Sequence, residues 1–390
     1  MMAHPMTNRF NKTQSPAGQF AASAHISADI LPGKLREKSQ VQRILVIKLR
    51  HFGDALLITP LLNTLKANYP QAKIDVLLYG GTQEILRENK TVNHTIIVDR
   101  GLKHAGLKAQ ISGEKALFAE LKEHHYDLLL NLSDQWRTAA YCRLLKPGFS
   151  IGFHYSKRDI WLWRYCHSVL VDIPNAAERH TVLNNLDILA PLQLTNINTE
   201  VTMSYGQRDI ERVKQLCQER NINDYILIQP SARWTFKTWA SESFSQLINY
   251  LTEQGETVLL TGGKDKAELN YITEIIAGCV QPERVINLSG SLVLPELAVL
   301  IDKAKLFVGV DSVAMHMAAA LQTPSVVLFG PSNLSQWHPW QAPHTLLWAG
   351  HYRTLPHPNE IDTDTTERYL NAIPVTEVID AVDVWRTQHL

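Results

Sequence analysis

A chain of 390 residues is longer than one hydrophobic core usually serves, so two domains are expected. With 38 basic and 38 acidic side chains, the basic excess of a general nucleic-acid binder is excluded, though a local basic patch is not. No apolar run approaches the roughly 18 residues of a membrane helix, and Cys142, Cys166, Cys217 and Cys279 are too far apart for a C-x-x-C zinc or redox centre.

Residues 1–40 are rich in Ala, Ser, Gln and Pro, lack the basic start and apolar stretch of a signal peptide, and read as a flexible extension. From residue 43 short β runs alternate with helical stretches. Strands are expected near 43–48, 73–78, 94–98 and 126–131, with helical segments between them such as 113–124. This alternation gives a mostly parallel sheet covered on both faces. Leu-rich runs without in–out alternation suit strands buried on both sides.

Residues 147–180 break the rhythm. They hold Gly148, Gly152, Lys157, Arg158, Arg164, Trp161 and Trp163 on what reads as irregular chain. Such a stretch is either a binding surface or a capping loop packed by its tryptophans. A helical segment near 178–190 and a polar, linker-like stretch at 190–205 complete a first unit over 41–200.

The alternation then restarts. Strands are expected near 225–229, 256–260, 284–287, 306–310 and 325–329, with helices over 206–220, 240–253, 265–277, 294–303 and 313–321. This is a second doubly wound α/β unit, 206–372, and two in tandem suggest a cleft between them. The segment 373–390, with a helix near 374–388, follows a long irregular stretch and is expected to pack back on the first unit.

Ligands of open α/β sheets bind at the carboxyl ends of strands, which directs attention to four turns. After the first strand come Lys48-Leu-Arg50-His51-Phe-Gly53-Asp54. Asp54 there is a general base or a helix cap. Thr59-Pro60 is itself a good start pair, so the helix begins at Asp54 and bends, or begins at Thr59. A single glycine disfavours a dinucleotide fingerprint.

The second unit supplies the other three turns. Ser231, Arg233, Thr235 and Lys237 crowd one loop, as phosphate binding requires, unless the loop is merely solvated. Thr261-Gly262-Gly263 permits close backbone approach. Asp311-Ser312-Val313, with His316 one helical turn beyond Ser312, joins a helix start whose free N–H groups favour phosphate. The competing reading there is an N-cap and a core histidine. Asp362-Thr-Asp364 reads as a polar surface loop, and no His/Cys/Asp grouping has metal spacing.

Five stretches carry a resemblance in this order: Ile47-Lys-Leu-Arg-His-Phe-Gly-Asp54, Asn131-Leu-Ser-Asp-Gln-Trp-Arg137, Gln229-Pro-Ser-Ala-Arg-Trp-Thr-Phe-Lys-Thr-Trp239, Gly309-Val-Asp-Ser-Val-Ala-Met-His-Met-Ala-Ala-Ala320 and Phe329-Gly-Pro-Ser332. Over residues 41–390 the chain resembles the ADP-heptose:lipopolysaccharide heptosyltransferases, glycosyltransferase family 9. Among subtypes it is most similar to the one adding the third, branching heptose of the inner core.

The resemblance implies two Rossmann-like doubly wound domains facing a cleft, the GT-B architecture. The first would bind acceptor and the second the nucleotide sugar. It implies Asp54 as the general base, with Gly53 forming the donor-side turn. Lys237 would bind the donor phosphates. Asp311, Ser312, Val313 and His316 would line the donor pocket. Ser231, Gly262, Gly263 and Asp265 would face the nucleotide, and Leu288-Ser289 the adenine. Where many members have Asp-Thr-Gly, this chain has Asp311-Ser312-Val313, and Val313 is barred from a glycine-only conformation.

The implied reaction is inverting transfer of L-glycero-D-manno-heptose from ADP-heptose to a core heptose, without metal or other cofactor. Arg50, His51, Arg137, Lys157 and Arg158 would contact the anionic acceptor. The implied setting is a cytoplasmic monomer, peripheral on the inner membrane, with no nucleic-acid partner. Two other readings stay open: a sugar-nucleotide epimerase on the same scaffold, and a non-catalytic ADP-heptose-binding protein.

Overall fold

The computed structural model describes residues 6–8 and 37–388. These fall into two compact units, one ending at Thr202 and one beginning at Met203, and residues 6–8 belong with the latter. The expectation of a flexible extension over 1–40 lies mostly outside the described residues. Within it, β1 (Met6–Asn8) adds an antiparallel edge strand to the second unit's sheet, and Lys38–Gln40 form a single 3-10 turn.

The first unit has six parallel strands: β2 (Arg43–Ile47), β3 (Lys73–Tyr79), β4 (Val92–Val98), β5 (Leu128–Asn131), β6 (Phe149–Phe153) and β7 (Val169–Val171). Their order across the sheet is β4-β3-β2-β5-β6-β7. Numbered from β2, that is 3-2-1-4-5-6, the doubly wound Rossmann order. Ile44 to Ile47 and Leu128 to Leu130 are fully buried, as strands covered on both faces must be.

The second unit repeats the plan. Its strands are β8 (Ile226–Gln229), β9 (Val258–Leu260), β10 (Val285–Asn287), β11 (Leu306–Val310), β12 (Ser325–Phe329) and β13 (His344–Trp348). Read from β10, the order β10-β9-β8-β11-β12-β13 is again 3-2-1-4-5-6, with β1 beyond β13. In each sheet the order reverses at one place, between β2 and β5 and between β8 and β11. That reversal opens a crevice at the strands' carboxyl ends, where ligands of this fold bind.

Three strands differ from expectation. The 147–180 stretch contains β6 and β7. Gly152 lies inside β6 because a Cβ there would come within 2.5 Å of the His167 ring. A glycine of that kind mimics a loop signal in sequence. β13 was hidden between Pro343 and Gly350. The 190–205 stretch is also not a loose linker: Asn198 N–H donates to Thr64 Oγ1 at 2.8 Å and Thr202 N–H to Thr59 Oγ1 at 3.0 Å, pinning it along the helix Thr59–Asn68.

The C-terminal helix, Val375–Gln388, packs into the core of the second unit, where the expectation had it on the first. Val378, Ala381 and Val382 form a stripe at i, i+3 and i+4. They are buried in one cluster with Phe244, Leu247 and Leu251 of the helix Ser241–Glu253. Trp385 Nε1 donates to Thr345 Oγ1 at 3.0 Å and Arg386 Nε to Glu256 Oε1 at 3.1 Å.

Candidate active site

At the first unit's reversal point, β2 delivers Lys48 into the protein interior. Its Nζ donates to Asn185 Oδ1 at 3.1 Å and lies 3.7 Å from Asp54 Oδ1. Burial pulls the Lys48 ammonium below its ordinary pKa, and the neighbouring Asp54 carboxylate opposes that pull. Of the two helix starts expected, Thr59 opens the helix Thr59–Asn68, but no helix begins at Asp54: a short one, Phe52–Leu56, starts two residues earlier. Asp54 is the third residue of the first, and its Oδ2 accepts the His51 N–H at 3.3 Å. His51 is the N-cap, and the Asp54 side chain reaches back to its backbone, one half of a capping box. Gly53 contributes its carbonyl to Leu57 N–H at 2.9 Å. Asp54 is therefore at once a cap and a lysine-paired carboxylate, held in one orientation.

The turn after β5 supports the turn after β2. Leu49 N–H donates to Ser133 Oγ at 2.8 Å, and Gln135 Nε2 to Leu49 O at 3.3 Å. Beside them Asp134, buried, collects three predicted acceptor contacts. Arg50 Nη2 donates to its Oδ1 at 3.1 Å, Lys157 pairs with its Oδ2, and Arg158 Nε donates to its carbonyl at 2.8 Å. Burial pushes the Asp134 carboxyl up, but Lys157 and Arg50 outweigh it and hold it below the ordinary range. Arg137 is not in this group: it pairs with Glu114, which also accepts from Tyr141. Asp134 was a motif letter in the sequence; its role as the hub of the basic residues follows from pairing that only the fold brings about.

In the second unit, β8 and β11 place Lys237 and Asp311 across the reversal point. Lys237 Nζ donates to Asp311 Oδ2 at 2.6 Å and lies 5.1 Å from the Trp234 ring centre. Ser332 Oγ also donates to Asp311 Oδ2. Burial would raise the Asp311 carboxyl; Lys237, Ser332 and His316 together hold it below its usual value. Ser312 is the N-cap of the helix Val313–Ala320, yet its hydroxyl makes no cap bond and is buried without a hydrogen-bond partner among the described residues. An unmatched hydroxyl at a helix start, beside a lysine, is suited to an anion's oxygen. Val313 is the first helical residue and is not among those with positive φ, so no glycine-only conformation is needed there. His316 is buried one turn on, 6.2 Å from the Trp337 ring.

Two of the other predicted donor-side residues, Ser231 and Gly263, meet at Glu268, a residue not among those expected from the sequence. Ser231 Oγ donates to its Oε2 at 2.6 Å and Gly263 N–H to the same oxygen at 2.9 Å. Gly262 packs so tightly that a Cβ would meet Ile272 Cδ1 at 2.5 Å and Ser231 Oγ at 3.3 Å. Asp265 is the N-cap of the helix Lys266–Ala277, accepting Ala267 N–H at 2.9 Å. Leu288 is buried, its N–H donating to Leu260 O at 2.8 Å, while Ser289 is turned to Asn287 Oδ1. Glu268 was foreseeable as a helix-first-turn acid three residues after an Asp cap, but nothing in its spacing marked it as a neighbour of Ser231. Among the described residues, no three His, Cys, Asp or Glu side chains converge as a metal site.

A model described as glycosyltransferase family 9 (heptosyltransferase) matches residues 115–366. Lipopolysaccharide heptosyltransferase 3 of Escherichia coli is 40% identical over 338 residues, covering 86% of this chain and 96% of that protein. Among solved structures, the family 9 glycosyl transferase from Veillonella parvula DSM 2008 matches with a TM-score of 0.76 and 21% identity, over 91% of this chain and 100% of that one. The E. coli ADP-heptose lps heptosyltransferase II matches with 0.72 and 21%, over 89% and 99%. These two structures share the fold of two tandem Rossmann-like units. With the family model spanning more than half of it, and a relative matched over nearly its whole length, the chain belongs to glycosyltransferase family 9, the heptosyltransferases.

Proposed function

We propose that the protein transfers L-glycero-D-manno-heptose from ADP-heptose to a heptose of the lipopolysaccharide inner core, adding the third, branching unit with inversion. The observation that carries this is the Lys237–Asp311–Ser312 arrangement: a lysine held at the reversal point beside a helix start with a buried, unmatched hydroxyl. The same kind of position in the first unit holds Asp54.

In the proposed step the Asp54 carboxylate accepts the proton of an acceptor hydroxyl. That oxygen bonds to the donor's anomeric carbon as the bond from that carbon to the phosphate oxygen breaks. ADP leaves with the electron pair. Lys237, the Ser312 hydroxyl and the N–H groups of the first helical turn neutralise the charge growing on the diphosphate. Asp311 aims the lysine, and a bound diphosphate would share it. Val313 contributes an N–H and His316 closes the pocket wall. Ser231 and the Gly262-Gly263 turn face the nucleotide, and Glu268 offers a carboxylate acceptor for sugar hydroxyls. Arg50, Lys157 and Arg158, grouped on Asp134, would meet an anionic acceptor. The protein would act as a monomer at the cytoplasmic face of the inner membrane.

Asp54→Asn tests the base. It keeps the cap geometry and removes the proton acceptor. Transfer is expected to fall by about 10²–10⁴, with ADP-heptose affinity by calorimetry unchanged. Near-normal turnover would return Asp54 to capping alone. Product analysis with and without acceptor separates transfer from epimerisation, which releases free sugar, and from binding without turnover.

A further inference from the structure

The helix Trp161–Tyr165 is anchored through one tryptophan and shows another to solvent. Trp163 is buried, its Nε1 donating to Phe153 O at 3.1 Å, with the Trp136 ring edge-on at 5.6 Å. Trp161 is 74% exposed, and Ile160, Tyr165 and Leu162 are 48%, 41% and 39% exposed. Trp161 and Tyr165 stand four residues apart on one face, their rings 6.1 Å apart. Single exposed apolar residues are ordinary, but four on six consecutive residues form a patch. Its burial would lower the free energy, and the fold leaves it uncovered.

Charge around the patch identifies what covers it. Of the six basic side chains in residues 136–165, Arg137 pairs with Glu114, Lys157 with Asp134 and Arg164 with Asp159, while Arg143 and Lys146 stand exposed, in no ion pair with a carboxylate among the described residues. Arg143 stacks 4.3 Å over the Tyr165 ring and donates to its hydroxyl, so the basic side chains adjoin the aromatic face. Arg164 and Lys146 are exposed nearby in the chain. Exposed Trp and Tyr beside Arg and Lys match the boundary between lipid headgroups and acyl chains, where amphipathic rings sit and cations meet anionic lipid. A protein partner with an acidic rim would also meet this charge and these rings; flotation with vesicles separates it from a bilayer.

We propose that Ile160–Tyr165, with Arg143, Lys146 and Arg164, is a docking surface for an anionic lipid bilayer. The patch lies in the unit that the heptosyltransfer reading assigns to the acceptor. If that reading holds, docking brings the unit to a lipid-borne acceptor, but binding to the bilayer itself does not depend on it.

The test is flotation of the full chain with vesicles of phosphatidylcholine alone and of phosphatidylcholine mixed equally with phosphatidylglycerol. The parent protein is expected to float with the anionic vesicles only, and to be released by salt. Trp161→Ser/Leu162→Ser should abolish most of the binding. Lys146→Glu, at an exposed position outside the core, should weaken it by roughly fivefold or more while the fold is kept. Failure of the parent to bind anionic vesicles would overturn the proposal. So would unchanged binding by both variants, or a Trp161→Ser/Leu162→Ser variant that only converts a dimer to a monomer. Transfer to a lipid-free core oligosaccharide should be the same in parent and Lys146→Glu. Its absence in the parent would count against heptosyltransfer, whereas the vesicle result alone decides the docking surface.

Discussion

Asp54 and Lys237 each sit beside an opposite charge, and the two pairs differ in what the partner does. Lys48, buried and held by Asn185, faces the Asp54 carboxylate at 3.7 Å, beyond a direct hydrogen bond. It orients that carboxylate without consuming both of its oxygens. Lys237 is bonded to Asp311 at 2.6 Å, the pairing on which its proposed phosphate role rests. Lys237→Ala is therefore expected to weaken ADP binding roughly tenfold to a hundredfold, the worth of one charged hydrogen bond. Unchanged ADP affinity by calorimetry would remove Lys237 from the phosphate site. Asp311→Asn leaves Lys237 without its partner in a buried setting, a loss of about 3–5 kcal/mol at neutral pH in chemical denaturation. The sign with pH follows from the depressed Asp311 carboxyl. Its contribution is complete above the ordinary carboxylate value of about 3.9 and is lost as pH falls through the lower folded-state value. The stability gap between parent and Asp311→Asn should thus shrink in acid. A gap that stayed constant from neutral pH into strong acid would contradict this. The sequence placed these residues at strand ends, but not their pairings. Asp134 as the hub for Arg50, Lys157 and Arg158, and Glu268 beside Ser231, depend on residues up to 84 positions apart meeting in space.

At the scale of elements, strands such as β2, β5, β11 and β12 were legible because each is a continuous apolar run that the fold buries on both faces. β6 was not, because Gly152 is dictated by the His167 ring lying against the strand, a tertiary cause with a loop-like local signature. The two tryptophans of the 147–180 stretch divide the two readings between them: Trp163 packs and Trp161 is displayed. The C-terminal helix shows a different limit. Val378, Ala381 and Val382 form its buried face, and such a stripe in a sequence does not name its partner. Because that partner is the helix Ser241–Glu253, removing residues 375–388 should uncover the second core. Amide exchange in 226–229 and 241–253 is expected to accelerate strongly, with 44–47 remaining protected. Loss of protection in 44–47 instead would place the helix's support in the first unit.

The whole molecule repeats one topology twice and sets its chemistry at the same topological address each time, the reversal of strand order. In the first unit the address holds a lysine-oriented carboxylate; in the second it holds a lysine–aspartate pair and a helix start with a spare hydroxyl. In the proposed reading, the first of these supplies a base and the second a phosphate site for moving a sugar from a nucleotide to a hydroxyl. The measurement that bears most directly on this is the mass of the product when the protein is incubated with ADP-heptose and defined core acceptors. The account predicts gain of one heptose by an acceptor that already carries two, no free heptose in its absence, and loss of that product with Asp54→Asn. Gain by a shorter core but not by the two-heptose core, or release of free sugar without any acceptor, would contradict it.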